Sequence, residues 1–455
     1  MSNLPSMPRE FAATLRLGAP LMIGQLSQML LGVADTLMVG RLGVVELAAL
    51  TFATALFHVP LVFGIGVLTS VAVFTSNARG AGNPQDARES CRNGLWLGVA
   101  LGIGLFALAV AVMPFFSLLG QPPEAIEAAR NYYLLAMFSL VPGHASLALK
   151  NHADALNRPW PPFWIFLGGV ALNVFLNWLL IYGKWGCPAL GLDGAGWATL
   201  IARVAILAGM FVWLLRDRDL TDWVPHRRWF RPCRAWLGKL SAVGFPASIQ
   251  MLCEVTAFSV AGLMMGRFGA TVLASHQVAV TLAGTAFMIP LGLSMALTVR
   301  VGEAVGAEET ARLRTIAVTG WLMVAGYAVC TAAVFLGLGT TLASWFVEAE
   351  EVIALAAGLL VIVGLFQIVD GLQVASSAML RGLQDTKIAA WMGFVSYWVV
   401  GLPLSYILAF SSGMGPRGVW WGLAAGLVVA CLTLGLRLHR RIGRISRGNA
   451  KRRAC

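Results

Sequence analysis

Charge is what this sequence has least of. Only 12% of its 455 residues are Asp, Glu, Lys or Arg, 58% are hydrophobic, and the mean hydropathy is +0.76. A soluble domain carries about a quarter of its residues as charges, so a chiefly soluble protein is excluded. Cysteine is sparse and unpatterned: seven residues, at 91, 187, 233, 253, 330, 431 and 455, never spaced C-x-x-C, indicate neither a disulfide framework nor a zinc site. The chain also lacks G-x-x-x-x-G-K-[ST], H-E-x-x-H and G-x-S-x-G. These absences argue against ATP-driven pumping within this chain and against those hydrolase types, so no enzyme and no organic cofactor is expected. No short apolar stretch with a small-residue cleavage site opens the N-terminus, and the first hydrophobic segment is read as a retained span.

What the chain has is long uncharged runs, such as "LWLGVALGIGLFALAVAVMPFFSLLG" (Leu95 to Gly120) and "FWIFLGGVALNVFLNWLLIYG" (Phe163 to Gly183). Each is long enough to cross about 30 Å of hydrocarbon as a helix. Twelve such segments recur, with cores from 17–39 to 418–438, including 272–299 and 352–379. An all-α integral membrane protein is expected. With loops assigned alternately and both termini cytoplasmic, nearly all of the 33 Lys and Arg fall on the cytoplasmic side. Only Arg41, Arg130, Lys184, Arg267 and Arg417 lie opposite, and Arg203 alone falls inside a span. This is the asymmetry of a multi-pass protein of the cell's inner (cytoplasmic) membrane. The net charge of +12 is therefore read as topology and attraction to anionic membrane lipid, with no nucleic acid as partner.

A shift of 226 residues lays one half of the chain on the other, pairing Gly18 with Gly244, Pro20 with Pro246, Gly40 with Gly266, Arg41 with Arg267 and Gly66 with Gly292. "MFSLVPG" (Met137 to Gly143) falls on "LFQIVDG" (Leu365 to Gly371) at nearly the same offset. Six spans separate equivalent points, so the halves share one orientation. Twelve transmembrane helices in two six-helix lobes, related by a parallel internal repeat, are expected, a plan typical of secondary transporters. The expected divisions are 1–215 (N-terminal lobe), 216–239 (cytoplasmic linker), 240–438 (C-terminal lobe) and 439–455 (basic cytoplasmic tail). Glycine at every fourth position, at 94, 98 and 102 and again at 418, 422 and 426, is read as close helix packing.

Three carboxylates sit well inside predicted spans: Asp35, Glu254 and Asp370. Each costs about 2.5 to 3.5 kcal/mol at a helix centre, so each needs a partner, a water-filled cavity or a proton. The repeat sets them against Ala261, Gln28 and Pro142, so no acid is duplicated and the lobes differ in chemistry. Asn173 and Asn177 are four apart and share a helix face. With Asp35 and Thr199 they offer one charge and several neutral oxygens, a ligand set suited to Na⁺, or, without Asp35, ordinary interhelical hydrogen bonding. In the other half, Gln250 and Glu254 are four apart, and Gln367, Asp370 and Gln373 are spaced by three. With Gln28, these glutamines are the candidate lining of a substrate cavity. A carboxylate in apolar surroundings favours a proton, and a cation beside it favours its charge. Such a group can exchange H⁺ for Na⁺ or an organic cation, which is the physical basis of antiport. His58 and His144 are read as core histidines, and Pro20, Pro246, Pro290 and Pro403 as helix interruptions.

Around these residues the sequence resembles a known family. "LLGVADTLMVGRLG", "CEVTAFSVAGLMMGRFG", "HQVAVTLAGTAFMIPLGLSMALTVRVGEAVG", "QIVDGLQVASSAMLRGLQDT" and "YWVVGLPLSYILAF" are similar, over nearly the whole chain, to the multidrug and toxic compound extrusion (MATE) family in its NorM-like branch. The resemblance implies alternating-access export of amphipathic, mostly cationic drugs, dyes and organic cations in exchange for Na⁺ or H⁺, by a monomer. It matches Asp35, Asn173, Asn177 and Thr199 to an N-lobe cation site, and Glu254 and Asp370 to the C-lobe acids of cation coupling. The alternative within the same superfamily is a flippase for a lipid-linked saccharide, which would need cations along its cavity. A channel is disfavoured by duplicated lobes with asymmetric acids.

Overall fold

The computed structural model describes residues 6–225, 229 and 231–454. The secondary structure of these residues is helical, with no strand among them. Twelve helices are long and apolar enough to cross a membrane: α1 (Met7–Gly40), α2 (Val44–Gly80), α3 (Pro84–Leu119), α4 (Pro123–Ala155), α5 (Trp160–Tyr182), α6 (Leu192–Arg216), α7 (Arg234–Gly266), α8 (Ala270–Gly306), α9 (Thr310–Ser344), α10 (Glu350–Gly382), α11 (Thr386–Ser411) and α12 (Pro416–Ala454). The protein is multi-pass. Lipid offers the backbone no hydrogen bonds, so apolar runs of this length form helices whose polar groups pair internally.

The helices do not all run evenly. α4 is interrupted at Ser139, just before Pro142, which has no N–H for the carbonyl one turn back. Asp370, its counterpart in the repeat, lies in the unbroken α10. α11 widens into π-helical turns at Val395–Gly401 and Ile407–Ser411, on either side of the short α-helical stretch that holds Pro403.

The chain forms two compact units. One is Gly24–Ser248; the other joins the described residues up to Ile23 with those from Ile249 onward. The divisions fall inside α1 and α7, at points one repeat apart, and the basic linker 216–239 runs within the first unit. The contacts behind this follow the 226-residue shift. In the first unit a Cβ on Gly66 would stand 2.4 Å from Ser248 Cα, and in the second a Cβ on Gly292 would stand 2.5 Å from Met22 Cα. Each half of the sequence thus lends the start of its first helix to the unit built mainly from the other half. Only glycine permits so close an approach.

The evenly spaced glycines act in the same way. A Cβ on Gly98 would lie 2.7 Å from the carbonyl oxygen of His144, and one on Gly422 would lie 2.2 Å from the Ser405 nitrogen. These helices touch backbone to backbone, as expected for association driven by packing in lipid. The core of the second unit gathers around α10, the most apolar of the twelve, where Leu359, Val363 and Phe366 pack with Tyr397 and Trp420.

Ion pairs collect at the basic ends of the helices. In the second unit the buried Glu10 bridges Arg300 (2.6 Å) and Arg312 (2.7 Å), and Arg300 also reaches Glu303 at 2.9 Å. In the first unit, Lys150 pairs with the buried Asp154 at 2.7 Å. The linker is docked by Trp96, which donates to the Trp229 carbonyl at 2.8 Å, and by Asn93, which accepts from the Cys233 N–H at 2.6 Å.

Candidate functional site

In the first unit, α1, α5 and α6 bring Asp35, Asn173, Asn177 and Thr199 together. Asn177 Nδ2 donates to Asp35 Oδ1 at 2.5 Å and to Asn173 Oδ1 at 3.1 Å, and Asn173 Nδ2 donates to Thr199 Oγ1 at 3.3 Å. With its amide turned over, Asn173 instead donates to Asp35 at 3.2 Å and accepts from the Thr199 N–H at 3.2 Å. Both asparagines are buried, 2% and 0% exposed, on one face of α5 as the four-residue spacing requires. The carbonyl oxygen of Asn177 is buried and without a hydrogen-bond partner among the described residues.

Arg203, the cation that might have neutralised Asp35, is engaged elsewhere in the same unit. Its Nη1 donates to Ser139 Oγ at 2.9 Å, and its guanidinium lies 5.2 Å from the Phe57 ring centroid. No ion pair joins it to Asp35, although its charge reaches that carboxylate, whose hydrogen bond comes from the Asn177 amide. One carboxylate, two amide oxygens and a hydroxyl form a hard oxygen-donor set that suits Na⁺, and the unpaired Asn177 oxygen gives a direct measure of that fit. His144 is buried, seated where Gly64 leaves room for its ring, whereas His58 is exposed.

In the second unit, the buried Asp370 lies on α10 between Gln367 and Gln373, and Glu254 on α7 is near enough for the two charges to interact. Gln367 donates to the Ala283 carbonyl at 3.1 Å. Gln250 accepts from Ser377 Oγ at 2.9 Å, and the same hydroxyl accepts from Arg381 Nη1 at 3.0 Å. Arg381 is 5% exposed and within electrostatic reach of Glu254. Arg381 is thus a second buried arginine, just past the hydropathic core 352–379. α10 runs on to Gly382 and α8 to Gly306, so Arg381 and Arg300 both lie within them. The hydropathic cores end at 379 and 299 because a charge lowers the local average, whereas the helix continues because a partner holds the charge.

Sequence reasoning also passed over Ser377 and Tyr397. A signal for Ser377 existed: residues 370, 373, 377 and 381 follow helical spacing and make one polar stripe. Tyr397 had no such signal, because the widened turn of α11 sets its position. Around Asp370 several buried polar atoms have no hydrogen-bond partner among the described residues: Asp370 Oδ1, Gln373 Oε1, Gln250 Nε2 and Arg381 Nε; the Tyr397 hydroxyl meets Glu254. Buried groups are nearly always paired, and each unpaired one costs about 1 to 3 kcal/mol. The four here, on α7 and α10 of one unit, form a polar cluster. Gln28, by contrast, is exposed on α1.

A family model described as MatE matches residues 20–179 and 246–407, one block in each half and starting at the paired Pro20 and Pro246. This chain belongs to the MatE family. Among MatE relatives, the probable multidrug resistance protein NorM of Agrobacterium fabrum is 35% identical over 435 residues, covering 94% of this chain and 93% of that one. The multidrug resistance protein PmpM of Pseudomonas aeruginosa is 34% identical over 462 residues, covering 98% and 96%. The fold agrees with the crystal structure of a MATE protein in the bent conformation, with a TM-score of 0.89 at 22% identity over 99% of both chains. A twelve-helix MatE chain is a membrane transporter and not an enzyme.

Proposed function

We propose that this transporter is a multidrug efflux antiporter of the inner membrane that exports amphipathic, mostly cationic organic compounds in exchange for Na⁺ or H⁺. It acts as a monomer, with both termini cytoplasmic. Its relatives' names support the substrate class, and the excess of positive charge on alternate loops supports the orientation. The observation that carries the ion-coupled reading is the pairing of Asp35 with Asn177. An amide presents N–H to a bare carboxylate and C=O to a cation, so a half-turn of the Asn177 side chain converts a closed hydrogen bond into a cation ligand. Asp35, Asn173, Asn177 and Thr199 supply the oxygens for the coupling ion; Glu254 and Asp370 form a second acidic site.

The glutamines Gln250, Gln367 and Gln373 line the surroundings of the second site for substrate. A saccharide-lipid flippase is the weaker reading, because Arg381 stands within electrostatic reach of Glu254, and the acids Glu254 and Asp370 disfavour a phosphate beside them. The test uses purified protein in vesicles loaded with ethidium, with Na⁺ and H⁺ gradients imposed separately. Ethidium movement driven by either gradient, and lost in Asp35→Asn, is expected. Gradient-independent lipid scrambling without dye transport would overturn the proposal.

A further inference from the structure

The basic end of α12 carries Arg437, Arg440, Arg441 and Arg444, spaced i, i+3, i+4, i+7 and therefore on one helix face. With Thr433 and Leu436 of the same helix and Met392 of α11, they enclose a cavity of about 220 Å³ within the second unit. Four like charges on one face repel one another. One acid answers them: Asp385, at the turn between α10 and α11 and 7% exposed. It accepts from Arg437 Nε at 2.9 Å and Nη2 at 3.2 Å, and stands 3.1 Å from Arg441 Nε. One carboxylate thus holds two arginines in place. Arg440 and Arg444 form no ion pair or hydrogen bond among the described residues, so the cavity keeps a surplus of positive charge beside an apolar wall.

Its position identifies what would neutralise it. The arginines follow directly on the apolar part of α12, at the depth where a span meets the lipid head groups on the basic side. The occupant must be anionic at one end and apolar at the other. We propose that this cavity binds the phosphate head group of an anionic phospholipid. Arg440 and Arg444 contact the phosphate oxygens, Asp385 holds Arg437 and Arg441 as the frame, and Met392 and Leu436 meet the first carbons of the acyl chains. Guanidinium is the side chain suited to this task, since its fork pairs with two phosphate oxygens at once. The inference does not depend on the export reading.

The test is lipid binding to the full-length protein in detergent, followed by native mass spectrometry, with phosphatidylglycerol, phosphatidylcholine and inorganic phosphate as separate probes. Phosphatidylglycerol is expected to bind in preference to phosphatidylcholine, and inorganic phosphate at equal concentration is expected not to displace it. The double variant Arg440→Gln/Arg444→Gln should bind phosphatidylglycerol roughly 30-fold more weakly, about fivefold per arginine. The charge-matched variant Arg231→Gln/Arg234→Gln in the linker should bind as the wild type does. Arg440→Lys/Arg444→Lys keeps charge and fold but loses the planar fork, and should fall between the two. Equal binding of both phospholipids, or equal losses in the two Gln variants, would reduce the site to diffuse surface charge and overturn the proposal. Displacement by inorganic phosphate would make it a free-anion site and equally overturn the lipid assignment.

Discussion

Asn177 gives an amide hydrogen to Asp35 at 2.5 Å while its own carbonyl oxygen, buried beside it, has no partner among the described residues. The amide holds the carboxylate in its present form and keeps in reserve the atom that a cation needs. Asp35→Asn preserves size and removes the charge. It is expected to reduce gradient-driven ethidium transport at least tenfold while leaving the unfolding midpoint nearly unchanged. Asn177→Leu should differ in kind, costing about 1.5 to 3 kcal/mol because a hydrogen bond to a charged group is lost. Full gradient-driven transport by folded Asp35→Asn would refute a coupling role for this acid.

Arg381 and Glu254 make a second case in which charges inside the helices depend on one another. Arg381→Met removes the cation that Glu254 feels and the donor that Ser377 accepts from. Breaking a buried charge interaction on one side costs about 3 to 5 kcal/mol, and removing both charges costs much less. Thermal unfolding in detergent should therefore find Arg381→Met/Glu254→Gln more stable than Arg381→Met alone. If the double variant shows the simple sum of the single losses, the two residues act independently.

Two glycines of α12 should respond in opposite directions to the same substitution. Gly422→Ala sets a methyl 2.2 Å from the Ser405 nitrogen, so α11 and α12 must move apart. A loss of about 1 to 3 kcal/mol is expected, as for other overpacked cores. Gly435 has nothing within 4 Å of such a methyl, and alanine there gains up to about 1 kcal/mol of helix propensity. Unfolding midpoints of the two variants, measured side by side, check the prediction.

Glu10 predicts a contrast between buried and surface charge. It is 2% exposed and joined to both Arg300 and Arg312. Glu10→Gln should cost roughly 1.5 to 3 kcal/mol, with little dependence on salt because buried pairs are poorly screened. Arg158 pairs with Asp219 at 41% and 69% side-chain exposure. Arg158→Gln should cost at most about 1 kcal/mol, and less as salt rises. Denaturation at low and high NaCl separates the two.

Much of the site was legible because lipid makes polar residues conspicuous. Asp35, Asn173, Asn177, Glu254 and Asp370 stood out as polar atoms in apolar runs, and the helical repeat placed the two asparagines on one face. Arg381 drew no attention because it stands two residues beyond the core 352–379, where a charge resembles the end of a span. Ser377 lies one helical turn away along the chain, but nothing in that neighbourhood reveals Glu254 as a partner in space.

The sequence by itself determined twelve membrane-crossing helices, their duplication, and the small set of side chains that a bilayer would not tolerate without partners. These follow from hydropathy and helical period, which are local properties of the chain. Tertiary structure alone decided that Asn177 meets Asp35 across 142 positions and that Ser377 meets Gln250 across 127. It alone decided that α1 and α7 each divide between two units. Such pairings depend on which helix faces pack together, and that choice is made by close contacts such as those at Gly66 and Gly292, whose partners lie on distant parts of the chain.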